Sequence, residues 1–199
     1  MAPKDPDRFA AAVAAIDRAN ADDPNRLVVG GVERPKELAH AELMTAWVQR
    51  LDPDADETQL LAARAHHLRR WEVPRADYPE GRAGYLRWRT DLKARHARQV
   101  GEILVGVGYP QASVERVQEI VRKDHLRTDP AVQVHEDALC LTFLETQLSD
   151  LGAQLGPDKA LAVLTKTLAK MSPAGREQIA HLQLTPGERA LVDRAGSTT

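Results

Sequence analysis

The sequence predicts an all-α fold, a single compact helical domain spanning residues 1–199 with its core in about residues 6–182. Three observations lead there. Apolar residues recur at helical spacing through most of the chain, filled in by Ala, Leu, Arg and Glu, which are good helix formers. Aromatic residues make up only 4%, so alternating strand patterns are nearly absent. Proline, glycine and acidic turn clusters cut the periodic segments into helix-sized lengths, and no repeat, low-complexity tract or linker divides them.

The first helix is expected over Pro6 to Ala21, with Phe9, Val13 and Ile16 on one face and Asp22-Asp23-Pro24-Asn25 as its stop. Leu27 to Val32 is β-branched but carries two glycines, and reads as a loop or a lone extended segment. The second helix starts near Pro35, with Leu38, Leu43, Met44, Trp47 and Leu51 as its stripe, and breaks at Asp52-Pro53-Asp54. The third runs from about Asp56 to Glu72, before Pro74. Pro74 to Gly84 is a polar, aromatic-bearing loop, followed by a long helix over about Tyr85 to Val105. Ser113 is expected to cap a helix reaching about Leu126, and Asp129-Pro130 opens another that reaches about Leu151. Helices follow over about Pro157 to Met171, after Ser172-Pro173, and after Thr185-Pro186-Gly187-Glu188, which is a capping box with proline at the first helical position. Residues 195–199 read as a flexible tail.

Charge and cysteine content narrow the partners. A net charge of −2 argues against nucleic acid, and no apolar run is long enough for a membrane span. One cysteine, Cys140, excludes an internal disulfide framework and fits a reducing, cytoplasmic compartment; no amino-terminal run reads as a signal peptide. Assembly as a homo-oligomer is compatible with these bounds.

Ionisable residues on apolar helix faces carry the functional reading. His40 lies at helical spacing from Leu43, Met44 and Trp47; His67 shares a face with Leu60, Ala63 and Trp71; His96 falls on Leu92, Val100 and Ile103; Asp137 falls on Val134, Leu141 and Leu144. Buried charges are costly unless paired or bound to metal, and three imidazoles with a carboxylate suit a divalent iron, manganese or zinc ion. The structural reading of each histidine is a core residue bonded to a backbone carbonyl. His66 is expected to meet solvent, as are His135 and His181, while His125 sits at a helix end. Glu136 shares a side with Val132, Cys140 and Phe143 and reads as a supporting group or an alternative ligand.

The order of these segments resembles the HD superfamily of metal-dependent hydrolases. The segments that carry it are Glu37 to Met44, Gln59 to Leu68, His96 to Leu104 with Gly108-Tyr109, Val117 to Lys123, and Glu136 to Leu141. Two departures stand out: His67 replaces the aspartate of the His-Asp pair, and Lys123 stands where a later histidine ligand often occurs. The resemblance implies one divalent metal on His40, His67 and Asp137, with His96 as fourth ligand or support, Lys123 stabilising developing negative charge, and Glu136 accepting a proton. A closer resemblance is to an uncharacterised family, a domain of unknown function sometimes labelled glutamyl-tRNA-synthetase-like in fungi. It rests on His67 to Arg75, Tyr78-Pro79, Gly84 to Arg89, Lys123, Glu136-Asp137, Phe143 to Glu145 and Lys170 to Ser172. No nucleotide-binding motif or α/β pattern supports a synthetase.

Residues 64–98 hold ten basic side chains against four acids, with Trp71, Tyr78, Tyr85 and Trp88 interleaved. Arginine forks bind phosphate or carboxylate and stack on aromatic faces. Arg75, Tyr78, Arg82, Tyr85 and Arg89 are therefore the expected binding residues for a small anionic molecule. The structural alternative is a solvated basic face, and single-stranded RNA is a third reading. Together these features point to a metal-dependent hydrolase of a phosphorylated or carboxylated substrate, with an iron-dependent oxygenase or a non-catalytic binding module as the alternatives.

Overall fold

The computed structural model describes residues 3–197, with all their side chains except those of residues 153 and 154. Helix α1 spans Pro6–Ala21, capped by Asp5, whose carboxylate accepts the Arg8 N–H. The segment read as a loop or lone strand folds as a hairpin of β1 (Arg26–Val29) and β2 (Val32–Pro35). Gly30 and Gly31 both have positive φ, +58° and +81°, so the tight turn uses the two residues that adopt this conformation without strain. Helix α2 (Lys36–Leu51) has Pro35 at its cap position and no side-chain cap of its own. Asp23 supplies the missing acceptor from the preceding loop, taking the Glu37 N–H at 2.9 Å. This ties the start of α2 to the end of α1.

Helix α3 covers only Glu57–Arg64, so the expected run to Glu72 is a correction. A capping box of Asp56 and Gln59 starts it. It stops because residues 65–69 turn: Arg69 adopts a left-handed φ of 50°, and its N–H donates to the buried Asn20 side chain at 3.0 Å. Short 3-10 turns follow at Arg70–Glu72 and Arg75–Asp77. Helix α4 (Gly81–Gly106) then begins four residues earlier than expected. Gly84 makes this possible: a Cβ there would sit 1.9 Å from the Pro79 carbonyl oxygen.

Helix α5 spans Gln111–Arg122. It starts two residues before Ser113, and Arg116 serves as an ion-pair partner of Asp129 at 2.6 Å. Its end is also a correction, because Lys123 adopts φ 61° and the Asp124 N–H closes back on the Glu119 carbonyl at 3.0 Å. This is a Schellman turn with lysine where glycine is the unstrained choice. Asp129 caps α6 (Pro130–Leu155), and α7 (Pro157–Leu168), α8 (Pro173–Glu177) and α9 (Pro186–Gly196) complete the chain. Ala195, expected in a flexible tail, is a fully buried part of α9; residues 198–199 lie outside the described residues.

Two apolar clusters form the core. Met44, Trp47, Leu141, Leu144, Leu164, Leu168 and Val192 join α2, α6, α7 and α9. Ile16, Leu61, Val100, Leu104, Val117, Ile120 and Val132 join α1, α3, α4, α5 and the start of α6. Helices α3 and α6 contribute to both, and the buried histidines lie on or beside helices of both clusters. No helix among the described residues is long and apolar enough to cross a membrane.

Candidate metal centre

On α2, the face that turns inward is Glu37, His40, Ala41, Met44, Trp47 and Val48. Glu37 and His40, one turn apart, point the same way. Trp47, further along the same face, fixes the rotation of α2 by donating from Nε1 to Glu145 at 2.8 Å. His67 arrives from the turn after α3. Its Nδ1 lies 3.0 Å from Glu37 Oε2, and His40 Nδ1 lies 3.3 Å from the same oxygen. One ligand atom from each of Glu37, His40 and His67 can be chosen so that all lie within 4.8 Å of one another.

The protons on these rings can be assigned from their second partners. Thr146 Oγ1 donates to the Thr142 carbonyl at 2.7 Å, so it must accept from His40 Nε2 at 3.2 Å. The other ring nitrogen of His40, Nδ1, is the one that faces the Glu37 carboxylate. Arg70 donates to His67 Nε2 at 3.3 Å, which leaves His67 Nδ1–H facing Glu37. Burial pushes His67 down to about 3, with Glu37 opposing and Arg70 reinforcing the shift, so the ring is neutral at pH 7. Burial alone would raise the Glu37 carboxyl, but its histidine partners hold it below the ordinary carboxylate range. The Arg70 guanidinium, 4.0 Å from Oε1, supplies positive charge beside it and stacks over Trp88 at 4.8 Å.

His96 donates from Nδ1 to the Leu68 carbonyl at 2.9 Å, while its buried Nε2 has no protein partner. Its ring centre is 6.1 Å from that of His67. Burial lowers it to about 4, so it too is a neutral imidazole with a free lone pair. His66 and His135, both expected in solvent, are buried and bonded to each other at 2.9 Å, Nδ1 to Nε2. Because α3 ends at Arg64, the His66 and His67 side chains are not constrained to opposite helix faces; both turn inward. His181 and His125 are exposed.

Asp137 does not join this group. It is buried, as expected, but its oxygens accept from Ser172 N at 2.9 Å, Ser172 Oγ at 2.6 Å and Gln133 at 3.0 Å. Glu37 supplies the carboxylate in its place. Sequence reasoning missed Glu37, although the spacing Glu37, His40, Met44, Trp47 is a clean helical face. Lys123 and Glu136 form a buried ion pair with each other, and Lys170 lies 3.9 Å from the second Glu136 oxygen. Glu136 is thus held as an ion-pair partner and has no contact with the Glu37 group.

The arginine-aromatic segment divides. Arg75 donates to the carbonyls of Tyr78 at 2.9 Å and Pro79 at 2.8 Å, which makes it a strut of its own loop. Tyr78 donates to Asp91 at 3.0 Å, and Arg82 is exposed at the start of α4. Arg89 donates to the Tyr85 hydroxyl at 3.1 Å and lies over that ring at 5.9 Å. Tyr78 and Tyr85 therefore serve as side-chain supports within the segment.

Among known proteins, a family model described as a domain of unknown function (DUF4202) matches residues 10–192, so the chain belongs to that family. No curated protein and no solved structure matches it.

Proposed function

We propose that this member of the family is a metal-dependent hydrolase with an HD-like helical fold, acting on a small phosphorylated or carboxylated substrate. The observation that carries the metal is the single oxygen, Glu37 Oε2, within 3.0 and 3.3 Å of two imidazole nitrogens. Donors about 2.0–2.2 Å from one ion at tetrahedral or octahedral angles are about 2.8–3.6 Å apart, which brackets both separations. His40 Nδ1 and Glu37 Oε2 face each other, so a cation between the two would be bound by both. His67 needs only exchange its ring proton, because burial keeps it neutral. His96 Nε2 is the candidate fourth donor or a base beside it.

A divalent ion of iron, manganese or zinc in this group would lower the pKa of a water and polarise a substrate oxygen. The chain's own residues would do the rest. Thr146 and Leu68 orient the rings of His40 and His96 through the nitrogens that do not face the group. Arg70 holds positive charge at the rim, where an anionic substrate would approach. The reaction class rests on the HD resemblance, which is an argument from fold analogy. A second reading follows from the donor set itself, since two histidines and one carboxylate also serve iron-dependent oxygenases.

Elemental analysis of purified, untagged protein tests the proposal. About one equivalent of iron, manganese or zinc, lost in His67→Ala, is the expected result. Phosphatase and oxygen-consumption screens of the loaded protein then separate the two reaction classes. A folded protein that takes up no metal overturns the proposal in favour of a non-catalytic helical binding module.

A further inference from the structure

Both ring nitrogens of His67 are engaged, each by a different partner. Nδ1–H faces Glu37 Oε2 at 3.0 Å, and Nε2 accepts from Arg70 Nη1 at 3.3 Å. The backbone builds the second contact, because the Arg70 N–H closes on the His67 carbonyl at 3.0 Å and keeps the two residues on one turn. The Arg70 guanidinium lies 4.8 Å from the centre of the Trp88 ring, and Trp88 is itself pinned through Nε1 to the Val73 carbonyl at 3.0 Å. Arg70 thus reaches His67 from a fixed base, with its Nε 4.0 Å from Glu37 Oε1.

A divalent ion cannot bind His67 while this contact stands. If the ion takes Nε2, it takes the lone pair that Arg70 occupies. If it takes Nδ1, the proton of the neutral ring moves to Nε2 and meets the Arg70 N–H, donor against donor. In both cases the guanidinium has to leave His67. Charge pushes the same way, since Glu37 would face a dication as well as a guanidinium 4.0 Å away. The Arg70 side chain is 30% exposed, so a small oxyanion can reach it and satisfy the donors that the metal displaces. We propose that Arg70 is the gate of the Glu37, His40 and His67 centre: it competes with the divalent ion for His67, and a substrate oxyanion that draws it off makes metal and substrate bind cooperatively. This rests on the metal reading of the site and adds a coupling to it. By linkage, the factor that the oxyanion adds to metal affinity is the factor that the metal adds to oxyanion affinity. Phosphoryl and carboxylate groups share the chemistry that a guanidinium recognises.

The test uses the full-length protein after chelator treatment. Zinc is titrated against a fluorescent indicator that reads free zinc, at fixed ionic strength, with chloride, acetate or inorganic phosphate as the anion. Wild-type protein should bind zinc about tenfold more tightly in at least one of the two oxyanions than in chloride, and which one names the substrate's group. Arg70→Met removes the donors and keeps an unbranched side chain beside Trp88. In chloride it should bind zinc about tenfold more tightly than wild type, the worth of one charge-assisted hydrogen bond, and neither oxyanion should then add to it. Arg69→Gln, which deletes the neighbouring guanidinium at Glu72, should leave the affinity and the anion effect unchanged. The wild-type comparison needs no variant, so it decides the matter even if Arg70→Met fails to fold. Equal wild-type affinity in all three anions would overturn the gate, as would an anion effect of the same size in Arg70→Met; zinc binding in either case leaves the metal centre standing. No zinc uptake by wild type or Arg70→Met in any anion would remove the metal centre and the gate with it.

Discussion

His40 bridges Glu37 and Thr146: its Nδ1 lies 3.3 Å from Glu37 Oε2, and its Nε2 donates to Thr146 Oγ1 at 3.2 Å. Thr146 has a single hydroxyl proton, and the Thr142 carbonyl holds it. Replacing Thr146 with valine removes the acceptor and frees His40 to turn its N–H toward Glu37, satisfying the carboxylate without a metal. Thr146→Val should therefore weaken metal affinity by about 10–100-fold, as loss of a ligand's orienting partner does. Competition with a chelator measures this. An unchanged affinity would mean that the Thr146 contact does not set the ring.

Asp137 separates a structural carboxylate from a ligand. It accepts three hydrogen bonds and fastens α6 to the turn that starts α8. Asp137→Ala should destabilise the fold by about 1–3 kcal/mol in urea unfolding, because the half-buried Ser172 donors lose their acceptor. Metal content should stay at the wild-type level. Loss of metal at unchanged stability would return Asp137 to the ligand set.

How far the sequence could be read is clearest at these two carboxylates. Helical periodicity identified both α2 and α6, and it correctly turned His40, His96 and Asp137 inward. It could not distinguish two buried carboxylates, since partners such as Ser172, 35 residues away, leave no local pattern. The third helix shows a different limit. Apolar spacing continues through Trp71, but Asn20, from another helix, stabilises the turn at Arg69 and stops α3 early. Once α3 stops, the rule that adjacent residues face opposite ways no longer holds for His66 and His67. The arginine-rich segment misled for a similar reason: Arg75 spends its guanidinium on carbonyls three and four residues away, which charge patterning does not reveal.

The acid limb of stability should depend on Asp129. Its carboxyl is held below the ordinary range, first by the hydrogen bond from Arg116, and it also caps α6. A carboxyl lowered in the folded state stabilises above its unfolded pKa, and that contribution fades as pH falls through the folded value. The window therefore opens near pH 4 and extends downward. Asp129→Asn keeps the capping oxygen and removes the charge, so unfolding should become less pH-dependent below about pH 4. Urea midpoints at pH 3 and pH 6 give the comparison; an unchanged pH slope would show that the ion pair contributes nothing.

Lys123 and Glu136 invite a double-mutant cycle, because each partner is costly alone. Lys123→Met leaves the buried Glu136 carboxylate with Lys170, at 3.9 Å, as its remaining ion-pair partner. Glu136→Met leaves a buried ammonium in a left-handed backbone position. Breaking such a pair from one side costs about 3–5 kcal/mol, whereas replacing both partners with apolar groups of similar size is often close to neutral. The double variant Lys123→Met/Glu136→Met should therefore recover most of the stability that either single variant loses in urea unfolding. A double variant destabilised by the full sum of the two single losses would show that the two charges do not depend on each other.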